Sequence, residues 1–244
     1  MKKKIFIFVI TYRAQYRVLD VLKKFPYNYL KKFTYNILVS DDCSDDNTKN
    51  FILKAKTKFK KIKINFNKKN LGYGAHIKNC LKIAIKNKYD YAIMIHGDNQ
   101  YDPKYIKSLL DSAIQNQSIM AVVGSRMKNK NGALNGKMPL YKFIGNILLT
   151  KLFNFLMNTN FSDAHSGLWL YNIQAFKVIN LLKITDSFNF DNQIRLMMVI
   201  NKMKIKEVTI KTYYGSENSY FHLKYAIMFI LEVFFFFLKK IRIV

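Results

Sequence analysis

Apolar positions follow two rhythms through the first half of the chain. Short blocks at residues 5–10, 36–40, 62–66, 91–95 and 120–124 are mostly apolar or apolar at alternate positions, as strands are. Between them, residues 17–24, 46–58, 75–87 and 103–116 place apolar side chains at helical spacing. Strand alternating with helix predicts βαβ units, and so an α/β fold with a mainly parallel central sheet flanked by helices. Pro26 is expected to close the first helix and Pro103 to open the fourth, because proline cannot continue a helix but tolerates its first turn.

The second half is more mixed. Residues 126–135 are polar and contain Gly and Asn, which predicts a loop. A long amphipathic helix is expected over 141–157, a short strand over 168–171, helices over 174–182 and 191–203, and a strand over 205–212. Near the C-terminus an apolar run of about 13 residues is broken by Glu232 and followed by Lys239, Lys240 and Arg242. That is short of the roughly 20 residues a spanning helix needs, and fits an amphipathic helix on a membrane surface, its cations facing anionic headgroups. Burial in the core or in a dimer contact is the competing reading. The chain is thus divided into a domain at 1–221 and a C-terminal helix at 222–244. The start, Met1-Lys2-Lys3-Lys4 and then Ile5, resembles a signal peptide only superficially: its apolar run is very short and leads to Thr11-Tyr12-Arg13.

The 244 residues suffice for one large α/β domain, and a chain half apolar and 15% aromatic is not disordered. Cys43 and Cys80 are too few for a disulfide framework and lack metal-ligand spacing. With 41 Lys and Arg against 15 Asp and Glu, the net charge of +26 suits polyanions such as nucleic acid, anionic lipid or phosphorylated substrates. The lysines are spread along the chain, so compositional bias explains the charge equally well.

Scarcity makes the acids informative. Asp41-Asp42-Cys43-Ser44-Asp45-Asp46 and His96-Gly97-Asp98-Asn99-Gln100 each follow a predicted strand, where ligands bind in open α/β sheets. Ser44, Asp45 and Asp46 also suit a helix N-terminus as caps, which leaves Asp41 and Asp42 for function. Asp98 and Gln100 offer oxygens to a hard divalent cation, which would offset charge on a departing diphosphate.

In order and spacing, several strings resemble glycosyltransferase family 2 with the GT-A fold, especially members that act like dolichyl-phosphate mannosyltransferase and its bacterial polyprenyl-phosphate relatives. They are Thr11-Tyr12, the two acidic clusters, Asn70-Leu71-Gly72-Tyr73-Gly74-Ala75, Gly124-Ser125-Arg126, Asp163-Ala164-His165-Ser166-Gly167 and Phe190-Asp191. The resemblance implies that Thr11, Tyr12, Asp41, Asp42, Gly72, Gly74 and Asp98 bind the nucleotide sugar. It implies that Asp98 and Gln100 hold Mg²⁺ or Mn²⁺, and that Arg126 and Ser166 meet acceptor phosphate. The implied catalytic set is Asp98, Asp191 and Arg126, with Asp191 or Asp163 as general base should the acceptor be a hydroxyl. His96 stands where Asp is common in the family, leaving the metal loop one carboxylate fewer; imidazole suits Mn²⁺ or Zn²⁺ better than Mg²⁺. Arg13-Ala14 and Trp169 are further departures from the family pattern.

The implied activity is inverting, metal-dependent hexosyl transfer from a nucleotide-diphosphate sugar to a polyprenyl phosphate, in cell-envelope or glycoconjugate synthesis, on the inner face of the cytoplasmic membrane. Transfer to a saccharide hydroxyl and nucleotidyl transfer are the alternatives. A nucleic-acid binder would use the charge but leaves acids at strand ends unexplained. The expected partners are the donor, a lipid-phosphate or saccharide acceptor and an anionic membrane surface, with no nucleic acid; a homo-oligomer stays open. The reading requires Asp42 and Asp98 to converge on one crevice.

Overall fold

The computed structural model describes residues 2–214 and 223–243. Seven strands form one sheet: β1 (Lys4–Thr11), β2 (Thr34–Asp41), β3 (Ile62–Phe66), β4 (Tyr91–His96), β5 (Ile119–Ser125), β6 (Trp169–Asn172) and β7 (Lys204–Thr209). Their order is β3-β2-β1-β4-β6-β5-β7. Only β6 runs against the rest, pairing antiparallel with β4 and β5, so the sheet is mainly parallel as expected.

β1 shows why these segments became strands. Its alternate residues Ile5, Ile7 and Val9 enter one core, while Phe6, Phe8 and Ile10 enter the other. A strand buried on both faces needs an unbroken apolar run, and the strand period of two divides it between the layers. On the first face pack α1 (Arg17–Lys23), α3 (Thr48–Lys58) and α5 (Ile106–Gln115); on the second, α4 (Tyr73–Lys86) and α8 (Phe190–Ile200). A third cluster joins Phe153 and Met157 of α7 (Leu140–Met157), Leu196 of α8, and Phe229 and Val233 of α9 (Leu223–Ile243). The C-terminal helix is therefore seated on α7 and α8. The boundary drawn at 221/222 falls outside the described residues, as do the side chains of Lys240 and Arg242.

Three local expectations are corrected, and one short helix, α2, was not anticipated. Residues 174–182 form two 3-10 turns, Ile173–Lys177 and Leu181–Lys183, rather than one helix. The side chains of Asn172 and Asn180 accept from the backbone N–H of Gln174 and Leu182, and such local bonds compete with an α-helix. The segment read as a loop contains α6 (Lys130–Asn135), whose Ala133 is buried with Met127 and Met138. After α1 the chain makes the short α2 (Tyr27–Leu30), with Pro26 at its N-cap. Finally, Ser44 and Asp45 do not cap α3: Ser44 bonds Asp41, Asp45 pairs with Arg13, and Asp46 alone accepts from Thr48 N–H.

Candidate active site

Parallel pairing sets Thr11 opposite Asp41 and Ile10 opposite His96, so both acidic clusters leave the same edge of the sheet. β2 and β4 flank β1, which separates them by two interstrand spacings, about 10 Å. Within the first cluster the carboxylates are committed to backbone and loop. Asp41 accepts from Thr11 Oγ1 at 3.0 Å, Ser44 Oγ at 2.6 Å and Ser44 N–H at 2.9 Å. Asp42 accepts from Asn67 Nδ2 at 2.8 Å and from the N–H groups of Leu71 and Gly72, both at 2.9 Å. Both acids are buried; the Asp42 carboxylate pins the 67–72 loop, and that of Asp41 holds the turn to Ser44. Tyr12 lies beside them and is half exposed, with the Arg13 guanidinium over its ring.

Gly72 occupies left-handed backbone at φ +82°, which favours glycine. Gly74 serves a close approach: a Cβ there would lie 2.7 Å from the Asp186 carbonyl carbon, where Gly74 N–H donates to Asp186 O at 3.0 Å. The closeness anticipated at this glycine is used against the 186–187 backbone.

The second cluster faces open space. Asp98 Oδ1 accepts from Gln100 N–H at 2.9 Å, forming the tight turn after β4. Asp98 and Gln100 line a cavity of about 350 Å³ together with Tyr73, His96, Arg126, Lys142 and Asp191. Leu149 of α7 and Tyr225, Ala226 and Phe229 of α9 supply an apolar wall. The structure thus brings Asp98, Gln100, Arg126 and Asp191 together, while Thr11, Tyr12, Asp41, Asp42, Gly72, Gly74 and Ser166 lie outside this lining; Asp42 and Asp98 share a sheet edge but not this cavity, which corrects the expected convergence on one crevice. Ser166 is buried; its Oγ accepts from Leu168 N–H and its carbonyl from Trp169 Nε1.

Arg126 and Asp163 form a buried two-pronged ion pair, Nε to Oδ2 at 2.7 Å and Nη2 to Oδ1 at 2.8 Å. Burial alone would lower the guanidinium, but Asp163 outweighs it and holds Arg126 firmly charged. Burial would likewise raise Asp163, yet Arg126 draws its carboxyl down to about 2. Asp163 is therefore a locked counter-ion and not a base facing the cavity, which corrects its candidacy. The side-chain bonds of Arg126, including Nη1 to the Tyr214 hydroxyl at 2.9 Å, use three of the five guanidinium N–H donors.

Asp191 is different in kind. Burial raises its carboxyl to about 7, against the lowering influence of the Tyr73 hydrogen bond and the Arg195 charge. Burial lowers the imidazole of His96, and its Nε2 lies 3.3 Å from the Tyr73 hydroxyl. Lys142 is lowered by burial and by Arg126. Tyr73 and Lys142 carried no role in the sequence reading. A tyrosine between two glycines was the one available signal for Tyr73, and nothing local marks Lys142.

The arrangement has relatives. The model of the family described as "Glycosyl transferase family 2" matches residues 6–179. An uncharacterised Methanocaldococcus jannaschii protein, MJ1222, is 32% identical over 87% of this chain and 83% of its own length. A UDP-N-acetylglucosamine–dolichyl-phosphate N-acetylglucosaminyltransferase of Methanococcus voltae is 29% identical over 87% of this chain and 86% of its own. Among solved structures, the UDP complex of Mycobacterium tuberculosis glucosyl-3-phosphoglycerate synthase has a similar fold, with a TM-score of 0.69 at 11% identity over 98% of this chain and 80% of that one. A complex of the same enzyme with Mn²⁺, UDP and glucosyl-3-phosphoglycerate gives a TM-score of 0.65 at 10% identity, over 98% of this chain and 80% of that one.

Proposed function

The chain belongs to glycosyl transferase family 2, and from that premise we propose that it moves a hexose, with inversion, from a nucleotide-diphosphate sugar to a polyprenyl phosphate. One observation carries the choice of acceptor: the cavity sets the metal-loop oxygens of Asp98 and Gln100 in one lining with the cations Arg126 and Lys142, beneath an apolar wall from α7 and α9. The relative that uses a dolichyl phosphate supports the same class.

In this reading Asp98 and Gln100 take the donor diphosphate together with a divalent ion. The residues fit an ion that arrives with its diphosphate. Among the described residues no group of three His, Cys, Asp or Glu could hold a metal alone, and Mg²⁺ or Mn²⁺ completes its shell with phosphate oxygens and water. Bound there, the ion would neutralise charge growing on the leaving diphosphate. Tyr12, Asp41, Asp42 and the 67–72 loop form the floor of the nucleotide end. Thr11 supports that floor through its bond to Asp41, and Ser166 braces the turn behind the acceptor phosphate.

Arg126 and Lys142 orient the acceptor phosphate. With a second pKa of roughly 6 it is already largely dianionic near neutrality, so its oxygen can attack the anomeric carbon without a general base. As that C–O bond forms, the bond to the nucleoside diphosphate breaks on the opposite face. Asp191 is then left for the sugar, not for acceptor deprotonation.

The outer faces of α7 and α9 support a seat at a lipid surface. Leu148 and Phe155 are 60% and 83% exposed, and Leu231 and Phe235 are 63% and 53% exposed, with the Lys239 ammonium 4.5 Å from the Phe235 ring. Such a face binds the acyl boundary while cations meet anionic headgroups, here on the cytoplasmic side. No helix among the described residues is long and apolar enough to cross a membrane.

The acceptor class is tested by variant ranking on a short polyprenyl phosphate, per mole of folded protein. Lys142→Met and Arg126→Ala should each lower turnover roughly tenfold to a hundredfold, as expected for losing a charge-assisted contact to phosphate. Asp191→Asn should lower it less. The reverse ranking would favour a hydroxyl acceptor.

A further inference from the structure

Asp191 leaves the first turn of α8 toward the cavity, and its two oxygens meet different fates. Oδ2 accepts from the Tyr73 hydroxyl at 2.7 Å; Oδ1 is buried and takes no bond from the protein among the described residues. Tyr73 is itself held from behind. Its hydroxyl lies 3.3 Å from His96 Nε2, and its ring packs between His96 and Phe188 with centroids at 5.8 and 5.1 Å. A phenol has one proton to donate. With the hydroxyl donating to Asp191, a hydrogen bond to His96 assigns the imidazole hydrogen to Nε2. The chain Nε2–H to Oη–H to Oδ2 thereby ties β4, α4 and α8 together at the cavity.

We infer that Tyr73 is a positioning residue: backed by His96, it holds the Asp191 carboxyl in the cavity lining and leaves Oδ1, unpartnered among the described residues, as the acceptor for a hydroxyl hydrogen of the bound sugar. The inference rests on glycosyl transfer at this cavity and deepens it by naming the atom that reads the sugar. Two other groups interact electrostatically with Asp191, Tyr171 of β6 and Arg195 one turn further along α8. Arg195 is sandwiched between the rings of Trp169 and Phe161 at 4.8 and 4.9 Å, and none of its nitrogens has a hydrogen-bond partner among the described residues. Only Tyr73 among these groups bonds the carboxylate, and so only Tyr73 sets its rotation.

The test is carboxyl ¹³C NMR of Asp-labelled full-length protein across pH, with the Asp191 signal assigned by its loss in Asp191→Asn. Tyr73→Phe, nearly isosteric, removes the donor to the ionised carboxylate. It should move the Asp191 midpoint up by roughly one pH unit, a tenfold drop in its ionisation constant. His96→Leu, which strips the support behind Tyr73, should move it in the same direction by less; His96→Gln, whose amide can donate in place of Nε2–H, should leave it near wild type. In turnover, Tyr73→Phe should reduce kcat more than it raises the donor KM. An Asp191 midpoint unmoved in both Tyr73→Phe and His96→Leu would overturn the inference. The NMR arm needs no acceptor, so failure of transfer to lipid phosphate would not imitate that result, nor would that result decide the acceptor.

Discussion

Asp163→Asn isolates the ion pair beneath the cavity. The substitution keeps the side-chain volume but removes the charge that Arg126 faces through two bonds of 2.7 and 2.8 Å, and it turns an amide donor toward other donors. Two routes give the magnitude. Against burial, which would raise it, Arg126 draws Asp163 from 3.8 down to about 2, a difference worth about 2 kcal/mol of stability at neutral pH. Stranding the buried guanidinium costs more, roughly 3 to 5 kcal/mol for breaking such a pair from one side. The second figure is the better guide, because Arg126 is 6% exposed and has little access to water. Urea unfolding at pH 7 should show a lower midpoint at unchanged m-value. The folded carboxyl lies below its unfolded value, so the contribution is complete above about pH 4 and fades as pH falls toward 2. The gap between wild type and variant should shrink over that window, and Arg126→Met combined with Asp163→Leu should recover part of the loss. A difference below about 1 kcal/mol at pH 7, or one that does not shrink on acidification, would refute the reasoning.

Asp98→Ala should cost roughly a hundredfold or more in Mn²⁺-dependent turnover with an unchanged urea midpoint, since among the described residues Asp98 makes one local bond, to Gln100 N–H; a lost midpoint would mean a structural role instead. Asp191 has a folded pKa raised to about 7, so ionising it opposes folding. Wild-type stability should fall as pH rises from about 4 to 7, by up to about 4 kcal/mol, and Asp191→Asn should flatten that slope. Parallel stability–pH curves for the two proteins would contradict this.

Strands were legible where a simple period governs them: the run from Ile5 to Ile10 is apolar because both faces of β1 are covered. Asp98 and Gln100 were legible as oxygen donors at a strand end, Arg126 and Asp191 only through the family resemblance, and the four share the cavity. Asp41 and Asp42 show the limit of that reasoning. A carboxylate that accepts backbone N–H groups and one that awaits a ligand look the same in a string of letters; only the folded loop shows that Asp42 meets Leu71 and Gly72. Asp163 misled for the same reason, its partner Arg126 lying 37 positions away. The wall from α9 was illegible as a wall, because Glu232, read as an interruption, is the residue that accepts from Asn192 and Gln193 and seats the helix on α8. The turns at 173–183 depended on two asparagine side chains outcompeting a helical pattern.

The central claim meets its most direct test in a donor and acceptor panel: purified protein with Mn²⁺ or Mg²⁺, UDP-N-acetylglucosamine, UDP-glucose or GDP-mannose, and either a short polyprenyl phosphate or a free saccharide. The account predicts that one donor yields an organic-extractable sugar phospholipid with one nucleoside diphosphate released per product. Nucleoside diphosphate release that requires the saccharide and ignores the polyprenyl phosphate would contradict it.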